Sequence, residues 1–431
     1  MQKVLKIRLR VIIASVIGLF ILYVLGSIFF FNATPKDKRV TEPIAAHYAA
    51  SHDGFMRETG VLMGSSWVPG NSIEVMDNGE DIFESMLEDI RNASVSITKE
   101  TYNFWGEDVA ESFSVALSDA AERGVQVHFI MDFVGSVLAT SDQLNMMKDA
   151  GVHVVRWRKP AWYQLSRLNH RTHRKLLVVD GKVAHIGGAN TADDWLPQVD
   201  EGGYKDYHYR VTGPVVHELQ GAFSLNWVAS TGRLLTGEKY YPEIDKTGEV
   251  LMQVTSSNPR EGRMKIRKNK LYLIASADET IRLGYAYFFP DHSIIDELID
   301  AAERGVAVQI LTPGEKMDKA FLRYASHNRW GDMLKAGVEM YEYIPGMYHT
   351  KLMIVDDLYL SVGSSNFDNR SFRINDETNL NIIDREFAEL MVQNYLNDLE
   401  MSERITLEKW ENRPAWQKAA GWVIQIIGPH L

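Results

Sequence analysis

Val11 to Phe31 is an unbroken apolar run with no charged position. Roughly 20 such residues, rising 1.5 Å each, cross the hydrocarbon core of a bilayer. The run is longer than the apolar core of a cleaved signal peptide, so it predicts one retained N-terminal transmembrane helix. Beyond it the pattern becomes periodic. Ile82, Phe83, Met86, Leu87 and Ile90 recur at helical spacing, as do Ile294, Ile295, Leu298 and Ile299. Short apolar runs follow each helix, at 125–131, 152–157, 176–179 and 183–186, and again at 306–311, 338–343, 352–355 and 359–362. Runs this short, bounded by Gly or Asp, suit buried strands. Strands alternating with amphipathic helices predict an α/β layer fold.

The same words recur in both halves. Asp119-Ala-Ala-Glu-Arg-Gly-Val125 returns as Asp300 to Val306, and Ala150-Gly-Val152 as Ala336 to Val338. His173-x-Lys175 with Asp180 returns as His349-x-Lys351 with Asp356, and Gly187-Gly-Ala-Asn190 as Gly363-Ser-Ser-Asn366. Two copies at a long period mean a duplicated domain rather than a solenoid. The expected division is 1–40 for a basic segment and anchor, 41–231 for the first domain and 271–400 for the second. A link rich in Gly, Pro, Lys and Glu is expected at 232–270, and a Trp-rich amphipathic tail at 401–431. Gly124 and Gly305 read as helix C′ positions.

Charge sharpens this division. The net charge is −11, yet residues 1–40 hold seven basic side chains against Asp37, leaving +6 there and −17 beyond. An acidic body is a poor nucleic-acid binder, because phosphate affinity needs basic surface. Four basic residues precede the apolar run, while Lys36, Lys38 and Arg39 follow it. The positive-inside bias points to a cytoplasmic amino terminus and an extracytoplasmic body at the cell membrane. Cysteine is absent, which excludes disulfides, thiolate metal sites and Cys nucleophiles. In the tail, Trp410, Trp416 and Trp422 interleave with Lys409, Arg413 and Lys418. That pattern fits either the lipid headgroup region or packing on the protein's own surface.

Strand alternation puts His173 and Lys175 on one face, and His349 and Lys351 likewise. The Gly pair before Asn190, and Gly363-Ser364 before Asn366, allow close backbone approach to a ligand. Two copies related by a pseudo-two-fold gather two imidazoles, two ammoniums and two amides at the domain interface. That set suits a phosphodiester, whose non-bridging oxygens gain charge as phosphorus is attacked. One imidazole attacks and the other passes protons to the leaving and incoming hydroxyls. A nucleophilic His needs an acceptor on its other ring nitrogen. Asp206 and Glu377 stand downstream of their motifs as those acceptors. No metal or other cofactor is required, and His170 with His173 lacks the further ligands of a metal site. His128, His153 and His185 read as strand or core residues.

The paired HxKxxxxD motifs with their G(G/S)xN segments resemble the phospholipase D superfamily. The stretches Tyr285–Asp291, Thr312-Pro-Gly314, Tyr341-Glu-Tyr343 and Asn366–Ser371 look most like bacterial cardiolipin synthases. The resemblance implies two phospholipase D-like α/β domains with one shared active site, and His173 as nucleophile with His349 as acid/base. It further implies that Asp180 and Asp356 are structural and that Glu100 lies near the pocket. Tyr348, Thr350 and Asp357 depart from the usual pattern. The expected reaction is transfer of a phosphatidyl group to phosphatidylglycerol at a bilayer. A hydrolase of the same superfamily, phospholipase or nuclease, is the alternative, and a non-catalytic lipid binder a third reading.

Overall fold

A computed structural model describes residues 2–33, 40, 44, 48–159, 169–258 and 264–427. Helix α1 (Gln2–Ala33) carries the apolar run, and none of its 8–26 stretch is buried against the rest of the chain. Lys36, Lys38 and Arg39 lie outside the described residues. After α2 (Asp53–Met63) come β1 (Val68–Asp77), α3 (Asn78–Asn92), β2 (Ser96–Thr101), α4 (Val109–Glu122) and β3 (Gln126–Asp132). Then follow α5 (Ser141–Asp149), β4 (His153–Trp157), β5 (Leu176–Val179), β6 (Val183–Gly187), β7 (Tyr204–Lys205), β8 (Tyr207–Thr212) and α6 (Val216–Thr231).

The second half contains β9 (Val250–Ser257), α7 (Lys265–Ala275), β10 (Thr280–Tyr285), β11 (Phe288–Phe289), α8 (His292–Glu303), β12 (Ala307–Pro313), α9 (Ala320–His327) and α10 (Trp330–Lys335). It continues with β13 (Glu339–Tyr343), β14 (Met347–Tyr348), β15 (Lys351–Val355), β16 (Tyr359–Gly363), β17 (Phe367–Asp368), α11 (Asn369–Arg373), β18 (Glu377–Ile383) and α12 (Arg385–Glu400). Strand β19 (Ser402–Ile405) and helices α13 (Leu407–Glu411) and α14 (Ala415–Ile427) form the tail.

The large sheet runs β19-β13-β12-β10-β15-β16-β18-β9-β1-β8-β6-β5-β2-β3-β4. Apart from the edge strand β19, the order is palindromic: β13 answers β4, β12 answers β3, β10 answers β2, and so inward to β9 and β1. Strand β1 joins the two halves. Its Ser72 to Asp77 pair with β8, while Val68 and Asn71 pair with β9, across an irregularity that holds Gly70 at φ +92°. The expected link at 232–270 therefore contains a central strand. β9 pairs along its length with β18 and answers β1 in the palindromic order. Half of β9 is polar (Gln253, Thr255, Ser256, Ser257), which masks it from a search for apolar runs.

Among the described residues, three large cores hold the layers. Ile82, Phe83, Met86, Leu87 and Ile90 of α3 are buried with α4 residues on the outer face of the first sheet. Ile294, Ile295 and Leu298 of α8 do the same for the second, with Ile299 at the edge of that core. Between the sheets, Leu219, Phe223 and Trp227 of α6 and Phe387, Met391 and Tyr395 of α12 share one core with strand residues of both halves. Cutting any of these large side chains to Ala costs about 2–5 kcal/mol. Gly124 and Gly305, just past α4 and α8, take φ of +93° and +97°, as C′ glycines do.

Strands β2, β3 and β4 run parallel, and β5 runs antiparallel to them. The start of β5 therefore lies at the carboxyl ends of the other three, and His173 sits just before it. Strands β10, β12, β13 and β15 repeat the arrangement for His349. Both histidines thus stand on one edge of their sheets.

Candidate active site

The two halves are stitched together at the histidines themselves. Strand β14 pairs with β7, and the His349 N–H donates to Lys205 O at 2.7 Å. Thr172 bridges to Asp376, and the His173 N–H donates to Asp376 O at 2.9 Å. Asp206 follows Lys205 and Glu377 follows Asp376, so each backbone stitch brings a carboxylate to the histidine of the opposite half. The acceptors are crossed: Glu377 serves His173 and Asp206 serves His349. Reading each as partner to the motif upstream of it was wrong. Sequence proximity favours the same half, whereas the interface interdigitates.

His173 Nδ1 lies 3.1 Å from both Ser364 O and Glu377 Oε1. Both partners are acceptors, so Nδ1 carries the proton and Nε2 presents a lone pair. Glu377 in turn accepts from Ser364 Oγ at 2.5 Å and Ser371 Oγ at 2.8 Å. Burial alone would raise its pKa, but His173, Lys175 and the Ser364 hydroxyl together hold it below the usual value. Across the site, His349 Nδ1 is 2.7 Å from Asp206 Oδ2. Asp206 also accepts from Trp195 Nε1 at 3.1 Å and the Tyr207 N–H at 3.0 Å. Burial pushes its pKa up to about 6 against the pull of Lys351, Trp195 and Tyr207.

The lysines fold back on their own motifs. Lys175 Nζ donates to His173 O at 2.7 Å, and Lys351 Nζ donates to His349 O and lies 2.8 Å from His349 Nδ1. Burial lowers Lys351 to about 8 and Lys175 well below its usual value. It lowers His173 to about 4, opposed by Glu377, and holds His349 well below 6.5 with help from Lys351 and Lys175. Without substrate both imidazoles are neutral, and an entering phosphodiester anion favours their charged forms. Tyr102 stands 5.3 Å from the His173 ring; Trp195 and Tyr204 stand 5.0 and 5.5 Å from the His349 ring.

Asn190 and Asn366 are buried beside these groups. Asn190 Oδ1 accepts from the Asn103 N–H at 3.1 Å, and the Asn366 N–H donates to Ser371 Oγ at 3.0 Å. The Gly-rich segments differ where they matter. A Cβ on Gly188 would meet the Asp206 carboxylate at 2.4 Å, so that position must stay bare. Ser364 occupies the equivalent place and bonds to Glu377 instead.

Asp180 and Asp356 turn away from the histidines. Asp180 accepts from the N–H groups of Ser94, Val95 and Ser96, and Asp356 from those of Asp278, Glu279 and Thr280. Both take left-handed backbone, at φ +52° and +53°. Glu100 is fully buried and bonds to the residue just ahead of His173. It accepts from Thr172 Oγ1, and from Asn226 Nδ2 at 2.6 Å, with Arg174 Nη1 at 4.0 Å, and bonds to neither His173 nor Lys175. Burial raises its pKa, opposed chiefly by Arg174.

Trp195 and Ser371, which hold the two carboxylates, were not singled out as site residues. Ser371 ends the Asn366–Ser371 stretch noted above, while Trp195 left no signal in the sequence. Tail residue Trp410 donates through Nε1 to His327 O at 2.5 Å, whereas Trp416 and Trp422 remain largely exposed. Among the described residues, no group of three or more His, Asp or Glu side chains could hold a metal ion.

The cardiolipin synthase, PLD-like domain family matches residues 86–224 and 271–399. The major cardiolipin synthase ClsA of Bacillus subtilis (strain 168) is 35% identical over 365 residues, covering 84% of this chain and 76% of that protein. A cardiolipin synthase of Staphylococcus aureus (strain Mu50) is 31% identical over 84% of this chain and 74% of its own length. In fold, the chain resembles the phosphatidylserine synthase of Haemophilus influenzae Rd KW20, with a TM-score of 0.64 and 13% identity over 86% of this chain and 96% of that one.

Proposed function

The chain belongs to the cardiolipin synthase, phospholipase D-like family, and on that premise we propose that it is a membrane-anchored phosphatidyltransferase that makes cardiolipin. The single observation that carries the chemistry is the crossed pair of His–carboxylate contacts, with an acceptor-held Nδ1 on His173. His173 Nε2 attacks the phosphorus of a donor phospholipid while His349, protonated beside the bound anion, gives its proton to the departing alcohol. The P–O bond breaks as the P–N bond forms, leaving a phosphatidyl-histidine. Neutral His349 then takes the proton from a hydroxyl of phosphatidylglycerol. That oxygen attacks phosphorus, and the P–N electron pair returns to Nε2. Lys175, Lys351, Asn190 and Asn366 oppose the charge that builds on the non-bridging oxygens. The anchor concentrates the enzyme where both lipids reside.

Full-length protein given labelled phosphatidylglycerol in mixed micelles yields cardiolipin and glycerol. Phosphatidic acid as the sole product would make it a hydrolase and overturn the reading. His173→Ala and His349→Ala each lower turnover by about 10³-fold or more, and full activity in either would remove the dyad. A phosphatidyl ester with a phenolic leaving group needs no acid, so His349→Ala still forms the phosphoenzyme, trapped by a detergent quench at alkaline pH where the P–N bond survives, and His173→Ala does not. The basic residues ahead of the apolar run favour a body on the outer side. Protease added to intact spheroplasts then cuts the body, and complete protection would place it inside.

A further inference from the structure

We propose that the sheet edge carrying the two histidines is also the face on which the protein lies against the bilayer, with a rim of exposed apolar side chains set into the headgroup layer. This rests on the lipid-substrate reading above and adds the partner surface, which family membership does not assign.

The anchor constrains the orientation. Helix α1 ends at Ala33 and the body is fixed again at Val40. Seven peptide steps span at most about 25 Å, so Val40 stays within that distance of the membrane end of α1. Val40 O lies 3.5 Å from Arg267 Nη2. Arg267 pairs with Asp291 at 2.7 Å, and Asp291 caps α8 just past the carboxyl end of β10. That is the histidine edge of the second half. The chain therefore enters the body at the same edge as the active site.

The rim is distributed around that edge. In the first half, Val137 and Leu138 follow β3 and are 67% and 65% exposed. In the second half, Ile344 follows β13 and is 60% exposed, and Phe321 opens α9. The tail brings one more. Asn328 Nδ2 donates to Lys418 O at 3.0 Å, and Gly421 lies against Tyr324 O. Helix α14 thus runs antiparallel to α9 and carries Trp422 toward the start of α9, with 64% of its surface open. Exposed Lys316 and Lys319 sit between β12 and α9. Apolar and Trp side chains mixed with Lys suit the interfacial layer, where such a face sinks about 5–10 Å. An ordinary soluble surface scatters its apolar residues singly. Here both halves place them at the sheet edge that carries the histidines.

The cysteine-free chain allows a direct test. Single variants Leu138→Cys, Trp422→Cys and, at the opposite edge in the β5–β6 turn, Lys182→Cys are made in the full chain. Each is labelled with a polarity-sensitive fluorophore and reconstituted in phosphatidylglycerol-containing vesicles with headgroup-region nitroxide lipids. Labels at 138 and 422 are quenched at least about two-fold more than at 182, as the interfacial depth requires. Equal quenching at all three sites overturns the docking face. Labels shielded from water but not quenched would mean that a protein covers the rim, which also overturns it. Each variant is checked for cardiolipin formation. Quenching with no cardiolipin formed, even by the unsubstituted protein, would sink the transferase reading alone, and cardiolipin formed without differential quenching would sink the docking face alone.

Discussion

The two histidines of the proposed site have different supports. His173 meets a glutamate wrapped in serine hydroxyls, whose pKa is held low despite burial. His349 meets an aspartate touched by an indole and one backbone N–H, whose pKa climbs to about 6 because burial outweighs those contacts. A constant carboxylate fixes a tautomer, which a nucleophile needs. A carboxylate that titrates near neutrality lets its histidine gain and lose charge, which an acid/base needs. In the proposed mechanism, two copies of one motif take separate roles because the carboxylates behind them differ.

The largest expected effect tests that separation. Glu377→Gln keeps an amide oxygen but removes the constant negative charge behind His173, and lowers kcat by roughly 10²-fold or more at every pH. Asp206→Asn costs less at neutral pH and chiefly removes the acid limb of the profile near pH 6, where Asp206 in the unsubstituted enzyme takes up its proton. Steady-state rates from pH 5 to 9 decide this, and identical profiles for the two variants would erase the distinction. Stability moves the other way. Because its folded pKa lies above the unfolded value, Asp206 binds its proton more tightly when folded. Its contribution favours folding at low pH and is lost as pH rises through about 6. Denaturant melts of Asp206→Asn lack that slope.

A second difference lies behind the histidines. Glu100 faces Leu176 across β2–β5, and Gly284 faces Leu352 across β10–β15, so the two positions are equivalent. The first half fills the space with the Glu100, Thr172, Asn226 and Arg174 cluster. The second leaves a glycine and fills it from the other side with Tyr348 and Thr350, whose oxygens come within 2.7 and 3.1 Å of where a Gly284 Cβ would be. The unusual residues flanking the second histidine are thus the counterpart of a missing glutamate. Glu100→Ala strands a buried guanidinium and costs about 3 kcal/mol or more. Gly284→Ala crowds the tyrosine and costs about 1–3 kcal/mol. Chemical denaturation measures both, and a neutral Glu100→Ala would mean that the cluster does not brace the His173 segment.

The same pairing shows how far the sequence could be read. The duplication, the His, Lys and Asn motifs and their meeting at an interface were legible because each rests on spacing within one half. The crossed carboxylates were not, since 33 residues separate Asp206 from His173 along the chain while the β7–β14 pairing carries it to His349. Strand β9 escaped because its buried positions include Gln253 and Thr255, which bond to neighbouring polar groups rather than announce a core. Likeness of position pointed Glu100 toward the pocket, and its bonds to Thr172 and Asn226 were not legible.

The smallest expected effect falls where the halves have stayed alike. Asp180 and Asp356 each collect three backbone N–H groups at the start of the strand beside their own turn, β2 in one half and β10 in the other, and each adopts the same left-handed backbone. Asn tolerates that backbone nearly as well as Asp. Asp→Asn therefore keeps the turn while weakening charge-assisted bonds at a partly open site, a loss of about 1–2 kcal/mol. Equal losses are expected for Asp180→Asn and Asp356→Asn, with kcat unchanged in both, because neither carboxylate touches a histidine. The two sites share no partners, so the double variant should lose the sum. A drop in kcat without a drop in stability, in either half, would return that aspartate to the chemistry and break the symmetry that the turns now show.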